Sequence, residues 1–205
     1  MRLGFVVNPI AGMGGRVGLK GTDDKVEEAR ARGAEPRSPD RARRALDALA
    51  DRVPDVTVLT WGAPMGADLI REAGFDPEVL GDPADTETTA ADTRAAVEAF
   101  VDAGVDLVLF VGGDGTAADV ADALEGTETP MLGVPGGVKV YSSVFAVSPE
   151  DAAGVIATYE RTERREVMDI DEDEYREGSV NPELRAVARV PVGENLQSSK
   201  QTGSG

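Results

Sequence analysis

Short continuous apolar runs alternate along this chain with longer stretches of helical periodicity. Leu3–Val7 and Asp106–Val111 have no polar alternation, which suits strands of a parallel sheet covered on both faces. Val56–Thr60, part of Phe75–Leu80, Pro130–Val134 and Ala186–Val192 read as further strands. Between them lie helical patterns. Asp23–Arg32 is a short one. Pro39–Arg52 places Ala42, Ala45, Leu46 and Leu49 on one face, with Ser38 as its cap and Pro39 at its first position. Pro64–Ala73 is short and closed by Gly74. Gly81–Asp85 reads as a turn. Thr86–Ala103 turns Ala91, Ala95, Val97, Phe100 and Val101 inward and stops at Gly104. Thr116–Leu124 and Pro149–Arg161 follow. Strands alternating with helices predict an α/β fold with a doubly wound, mostly parallel sheet.

Two regions are expected. Residues 1–165 form an α/β nucleotide-binding domain, and 166–205 begin a β-rich second domain or run into a polar tail.

Three strands run directly into glycine turns. The first turn is Asn8–Lys20, with Gly12, Gly14, Gly15 and Gly18. The second is Gly112-Gly113-Asp114-Gly115-Thr116, and the third opens at Gly136-Gly137. Ligands of open parallel sheets bind where strands end and helices begin. Glycines let backbone N–H groups approach phosphate oxygens, and a following helix adds the positive end of its dipole. Arg16, Lys20 and Lys139 are placed to offset phosphate charge. Three such loops on one sheet edge would suit a nucleotide better than a small anion.

Asp114 is out of place beside phosphates unless it has a task. It either accepts a proton from an attacking hydroxyl or holds Mg²⁺ through water. A turn in which Asp114 caps the helix is the structural alternative.

Composition narrows the chemistry. The 205-residue chain has no cysteine and no histidine, which removes thiolate metal sites, Cys nucleophiles and a His base. A carboxylate is then the natural acid–base group. Aromatics are only 4%, so the core must rely on aliphatic side chains. The net charge of −17 disfavours nucleic acid and anionic membranes as partners. Lysines are confined to Lys20, Lys25, Lys139 and Lys200. An acidic, lysine-poor chain is expected of a high-salt, haloarchaeal cytoplasm, where screening relieves self-repulsion. The other source of such a chain is a GC-rich genome. With no signal peptide or transmembrane-length run, a cytoplasmic location is expected. The alternating carboxylates from Asp169 to Glu174 lack the spacing of a calcium loop and read as a solvated surface. Trp61-Gly62, after a strand, is either packing or close to ligand.

The Gly112–Thr116 motif resembles the signature of NAD kinases and of diacylglycerol and sphingosine kinases, with a close variant in 6-phosphofructokinases. The opening Asn8-Pro9-Ile10-Ala11-Gly12 is similar to the nucleotide-facing loop of the lipid-kinase branch. NPIAGMGGRVGLKGTD, GGDGTAADV, GVPGGVKVYSSVFAVSP and EVMDIDEDEYREG together resemble the AcoX-type ATP-NAD kinase-like proteins over most of Met1–Gly178.

That resemblance implies a kinase that uses ATP and Mg²⁺ to phosphorylate the ribose 2′-hydroxyl of NAD. Asp114 would be the base. Asn8, Gly12, Gly14, Gly15, Lys20, Gly112, Gly113, Gly115, Thr116, Gly136, Gly137 and Lys139 would face nucleotide, and no protein-held metal is expected. A lipid or sugar kinase, or a nucleotide-binding regulatory protein without catalysis, are the other readings. The Asn-Glu pair of NAD kinases has no counterpart, since Glu194-Asn195 is reversed. Members of the family continue into a β-rich part that completes the site and a homo-oligomer. This stretch by itself is therefore expected to bind nucleotide poorly or not at all.

Overall fold

Five parallel strands form the sheet, in the order β3-β2-β1-β4-β5. They are β1 (Arg2–Val7), β2 (Thr57–Thr60), β3 (Glu78–Val79), β4 (Leu107–Gly112) and β5 (Met131–Pro135). The computed structural model describes residues 1–11, 37–137, 139–169 and 182–197. β4 is buried along its whole length, as is β1 from Leu3 onward, which explains their unbroken apolar sequences.

The helices are α1 (Ser38–Arg52), α2 (Ala67–Glu72), α3 (Ala90–Asp102), α4 (Asp114–Leu124) and α5 (Pro149–Thr158). α1 packs on α2 and α5, and α3 packs on α4, so the two groups cover opposite faces. The chain winds outward from β1 to β3, returns through α3 to place β4 beside β1, and winds on to β5. Right-handed crossovers then put the two helix groups on different sides. The connections leaving β1 and β4 diverge, which opens a crevice at their carboxyl ends. The expected doubly wound α/β fold is the observed one.

Several local expectations need correction. Ser38 does not cap α1. Arg37 holds that position, while Ser38 is buried and donates its hydroxyl to the Asn8 carbonyl. α3 starts at Ala90 rather than Thr86, because Asp92 accepts from the Thr89 N–H at 2.9 Å and from the Ala84 N–H at 3.1 Å. Those bonds hold the preceding residues in a loop. Its buried face is Asp92, Thr93, Ala96, Val97 and Phe100, and Ala91 and Ala95 face solvent. α2 begins at Ala67, not Pro64. α5 ends at Thr158, and Arg161 lies beyond it, next to the following strand. α4 begins at Asp114, so the last three residues of Gly112–Thr116 are already helical. Asp23–Arg32 lies outside the described residues.

After α5, β6 (Thr162–Asp169) and β7 (Glu183–Pro191) pair antiparallel, with an irregularity between Val167 and Met168. They pack on α4, and Val167 and Val190 join the main core. The sheet is also extended beyond β5. The Gly133 N–H donates to the Val144 carbonyl, and the Ala146 N–H donates to the Gly133 carbonyl, both at 2.9 Å. Residues 195–197 add on in turn, through Val147 N–H to Asn195 O and Gln197 N–H to Phe145 O, both 2.8 Å. Leu196 packs against the core, so the polar stretch from Gly193 is structured through Gln197.

Candidate functional site

The crevice between β1 and β4 is walled by the segments that follow β1, β4 and β5, and hydrogen bonds tie these together. Asn8 follows β1. Its backbone N–H donates to the Val111 carbonyl at 2.9 Å, and its Nδ2 donates to Thr116 Oγ1 at 3.2 Å. Its Oδ1 accepts from the Ile10 N–H at 3.2 Å, a local turn that an Asn side chain readily forms. Thr116, buried in the first turn of α4, therefore clasps the first loop to the second. The Gly136 N–H donates to the Gly112 carbonyl at 2.8 Å and joins the second loop to the third.

The glycines have separate tasks. A Cβ at Gly112 would lie 2.4 Å from Thr116 Oγ1. At Gly136 it would lie 3.0 Å from Ala11 Cβ and 3.1 Å from Gly112 Cα. Both glycines allow the loops to approach. Gly137 has φ +109°, a left-handed conformation, and lies under Arg37, whose Nη1 donates to its carbonyl at 3.4 Å. Gly115 differs from these: it is exposed, and its Cβ direction meets nothing within 4 Å. It sits in the first turn of α4, where N–H groups have no carbonyl of their own helix to bond. Bare amides, a helix dipole and open space there suit a phosphate.

Asp114 does not point away from the protein. Its Oδ2 accepts from the Tyr141 N–H at 2.9 Å. Its Oδ1 accepts from the same N–H at 3.1 Å, from the Ser142 N–H at 2.9 Å and from the Ser142 hydroxyl at 2.6 Å. The carboxylate thus lies in a socket of amide and hydroxyl donors, next to the positive end of α4. This resolves the electrostatic oddity of an acid in a phosphate loop. Tyr141 and Ser142, which follow the third glycine turn, supply donors that offset its charge.

Lys139 is exposed, with Nζ 5.2 Å from the centroid of the Tyr141 ring, a cation–π distance. Gly113 caps α4 in extended conformation. Gly12, Gly14, Gly15, Arg16 and Lys20 lie outside the described residues. So does the acidic run after Asp169, which ends β6. Among the described residues no group of three or more acidic side chains could hold a metal ion. Trp61 packs its ring on Gly81 and Gly62 lies under Asp82, while the buried Trp61 indole N–H has no hydrogen-bond partner among the described residues.

Sequence reasoning assigns no role to Tyr141 and Ser142, in the stretch GVPGGVKVYSSVFAVSP, or to Arg37. Ser142 carried a legible signal. A serine pair within an otherwise apolar run falls where the chain is buried, and buried hydroxyls need partners. The identity of that partner is a matter of tertiary structure.

Among the described residues no helix is long and apolar enough to cross a membrane. No curated protein and no solved structure matches the chain significantly. A family match does cover it from the second residue of β1 to the third residue of β6. The parallel sheet from Leu3 onward, the crevice and the Asp114 loop all fall within residues 3–164, the stretch that matches the ATP-NAD kinase N-terminal domain, and the chain belongs to that family.

Proposed function

We propose that the protein transfers the γ-phosphoryl group of ATP to the ribose 2′-hydroxyl of NAD, giving NADP. The observation that carries this reading is the pairing of a fixed carboxylate, Asp114, with the open first turn of α4 at Gly115. In the proposed step the 2′-oxygen bonds to the γ-phosphorus while the bond from that phosphorus to the β–γ bridging oxygen breaks. ADP leaves, and the hydroxyl proton passes to the Asp114 carboxylate. The amides of Gly113, Gly115 and Thr116 would face phosphate oxygens, with Asn8 and Thr116 holding the loops at the required separation. Lys139, and Lys20 in the first loop, would offset charge. Mg²⁺ would enter as part of the nucleotide substrate, bound to its phosphates. The rate gain would come mainly from positioning and electrostatics.

A second reading has one observation in its favour. Asp114 already bonds two backbone amides and a hydroxyl, which would suit a part that only holds the loops together. The protein would then bind nucleotide as a regulator without turnover.

Incubation of the full-length protein with ATP, Mg²⁺ and NAD at high salt, followed by an assay for NADP, separates the two. The kinase reading expects NADP from the wild type and a kcat lower by about 10²–10⁴-fold in Asp114→Asn, the usual contribution of a general base. NAD or ATP binding with no NADP formed supports the regulator. Activity that survives Asp114→Asn removes the base role.

A further inference from the structure

We infer that Ser142 is the positioning residue for Asp114, and that the β6 backbone at Met168 sets the direction of its hydroxyl. This rests on the reading of Asp114 as the group that takes the proton. Ser142 is 1% exposed, and its Oγ lies between two elements. On one side it is 2.6 Å from Asp114 Oδ1. On the other it accepts from the Met168 N–H at 2.8 Å.

A hydroxyl has one proton to give. With the Met168 amide donating to Oγ, that proton has two acceptors in reach: the carboxylate at 2.6 Å and the Met168 carbonyl at 3.4 Å. The shorter, charge-assisted bond wins. The amide that enforces this arrangement is that of Met168, in β6. Successive residues of a strand turn their backbone groups to opposite sides, so Glu166 and Met168, two apart, present theirs to the same neighbouring segment.

The next residue repeats the attachment. The Ser143 N–H donates to the Glu166 carbonyl at 2.9 Å, and its Oγ accepts from the Glu166 N–H at 3.2 Å. Arg165 Nη1 donates to the Ser143 carbonyl at 3.2 Å. The third loop is thereby fixed to β6 at both Glu166 and Met168, and the orientation of the Asp114 carboxylate follows the position of β6.

The test compares Ser142→Ala, Ser142→Thr, Asp114→Asn and the double variant Ser142→Ala/Asp114→Asn. Ser142→Ala is expected to lower kcat about tenfold or more, with KM for NAD and ATP changed less than about threefold, since the hydroxyl acts on the carboxylate and not on substrate. Ser142→Thr keeps the hydroxyl and is expected to restore most of kcat. In the Asp114→Asn background, Ser142→Ala is expected to have no further effect on kcat, because residues acting as one unit are not additive. Equal, additive losses in both backgrounds, or a loss confined to KM, would overturn the inference.

A second readout does not depend on turnover. Amide hydrogen exchange by NMR should show the Met168 and Tyr141 amides losing protection in Ser142→Ala, while amides in β4 keep theirs. Unchanged protection at Met168 and Tyr141 overturns the inference. If the wild type forms no NADP but these amides respond, the positioning by Ser142 stands, and it is the kinase reading that fails.

Discussion

Gly112 and Gly115 stand three residues apart in one motif, yet a methyl group at each would meet different surroundings. At Gly112 it would press on Thr116 Oγ1 and Cβ, at 2.4 and 2.6 Å, and the clasp from Asn8 to Thr116 would have to move. Gly112→Ala is therefore expected to cost about 1–3 kcal/mol, the usual range for overpacking, in a urea unfolding experiment. At Gly115 the same methyl meets nothing. Gly115→Ala is expected to leave stability unchanged or raise it by up to about 1 kcal/mol, because alanine is the better helix former. On the proposed function it should nevertheless weaken ATP binding in titration calorimetry, since the methyl stands where phosphate would approach. Equal stability losses in the two variants would contradict this division of labour.

At the scale of elements, the helix layer that carries α1 and α5 is joined at its surface by a two-pronged ion pair. Arg44 Nε and Nη2 each donate to a Glu150 carboxylate oxygen at 2.8 Å. The bond to Arg44 is the main cause that holds the Glu150 carboxyl below its ordinary value of 4.5, against the opposing effect of burial. A lowered folded-state value contributes stability that is complete above the ordinary value and is lost as the pH falls through the lowered one. Both side chains are about half exposed, so water and salt screen the pair. Glu150→Gln should therefore cost less than about 1 kcal/mol at neutral pH. In thermal unfolding at a series of pH values, the gap to the wild type should close as the pH falls below 4.5. A gap that widens in acid would show the sign to be wrong.

For the whole molecule the governing quantity is net charge. The chain carries 38 acidic and 21 basic residues. Asp47, Asp51 and Asp55 are exposed close together along the chain at the end of α1. Self-repulsion of this kind is relieved by ions, because the screening length falls from about 10 Å at 0.1 M salt to about 3 Å at 1 M. Stability should therefore rise with KCl concentration, and each 1 kcal/mol gained should appear as about 2–4 °C in Tm for a chain of this length. The exposed ion pairs weaken in the same titration, but each is worth little. A Tm that falls steadily from 0.1 to 2 M KCl would count against an adaptation to high salt.

Some of this protein was legible in its sequence, and some was not, for a physical reason. Unbroken apolar runs fixed β1 and β4 as buried parallel strands, and the glycines that follow them marked the carboxyl edge of the sheet. These are local signals: a run of side chains with no polar face has nowhere to go but inside, and a glycine turn depends on its own backbone. The start of α3 was misread because Asp92 reaches back to Thr89 and Ala84. Ser38 was misread because its hydroxyl is taken by Asn8, thirty positions away. In the loop at Gly112–Thr116, the sequence determined that a carboxylate would stand among bare amides. Only the tertiary structure decided what that carboxylate faces. Asp114 meets Tyr141 and Ser142 because β5 lies beside β4, and Ser142 meets Met168 because β6 runs alongside the segment that follows β5. Such partners are separated by dozens of residues and leave no periodicity to read. They are chosen by which strands end up adjacent, and the burial of the whole chain decides that.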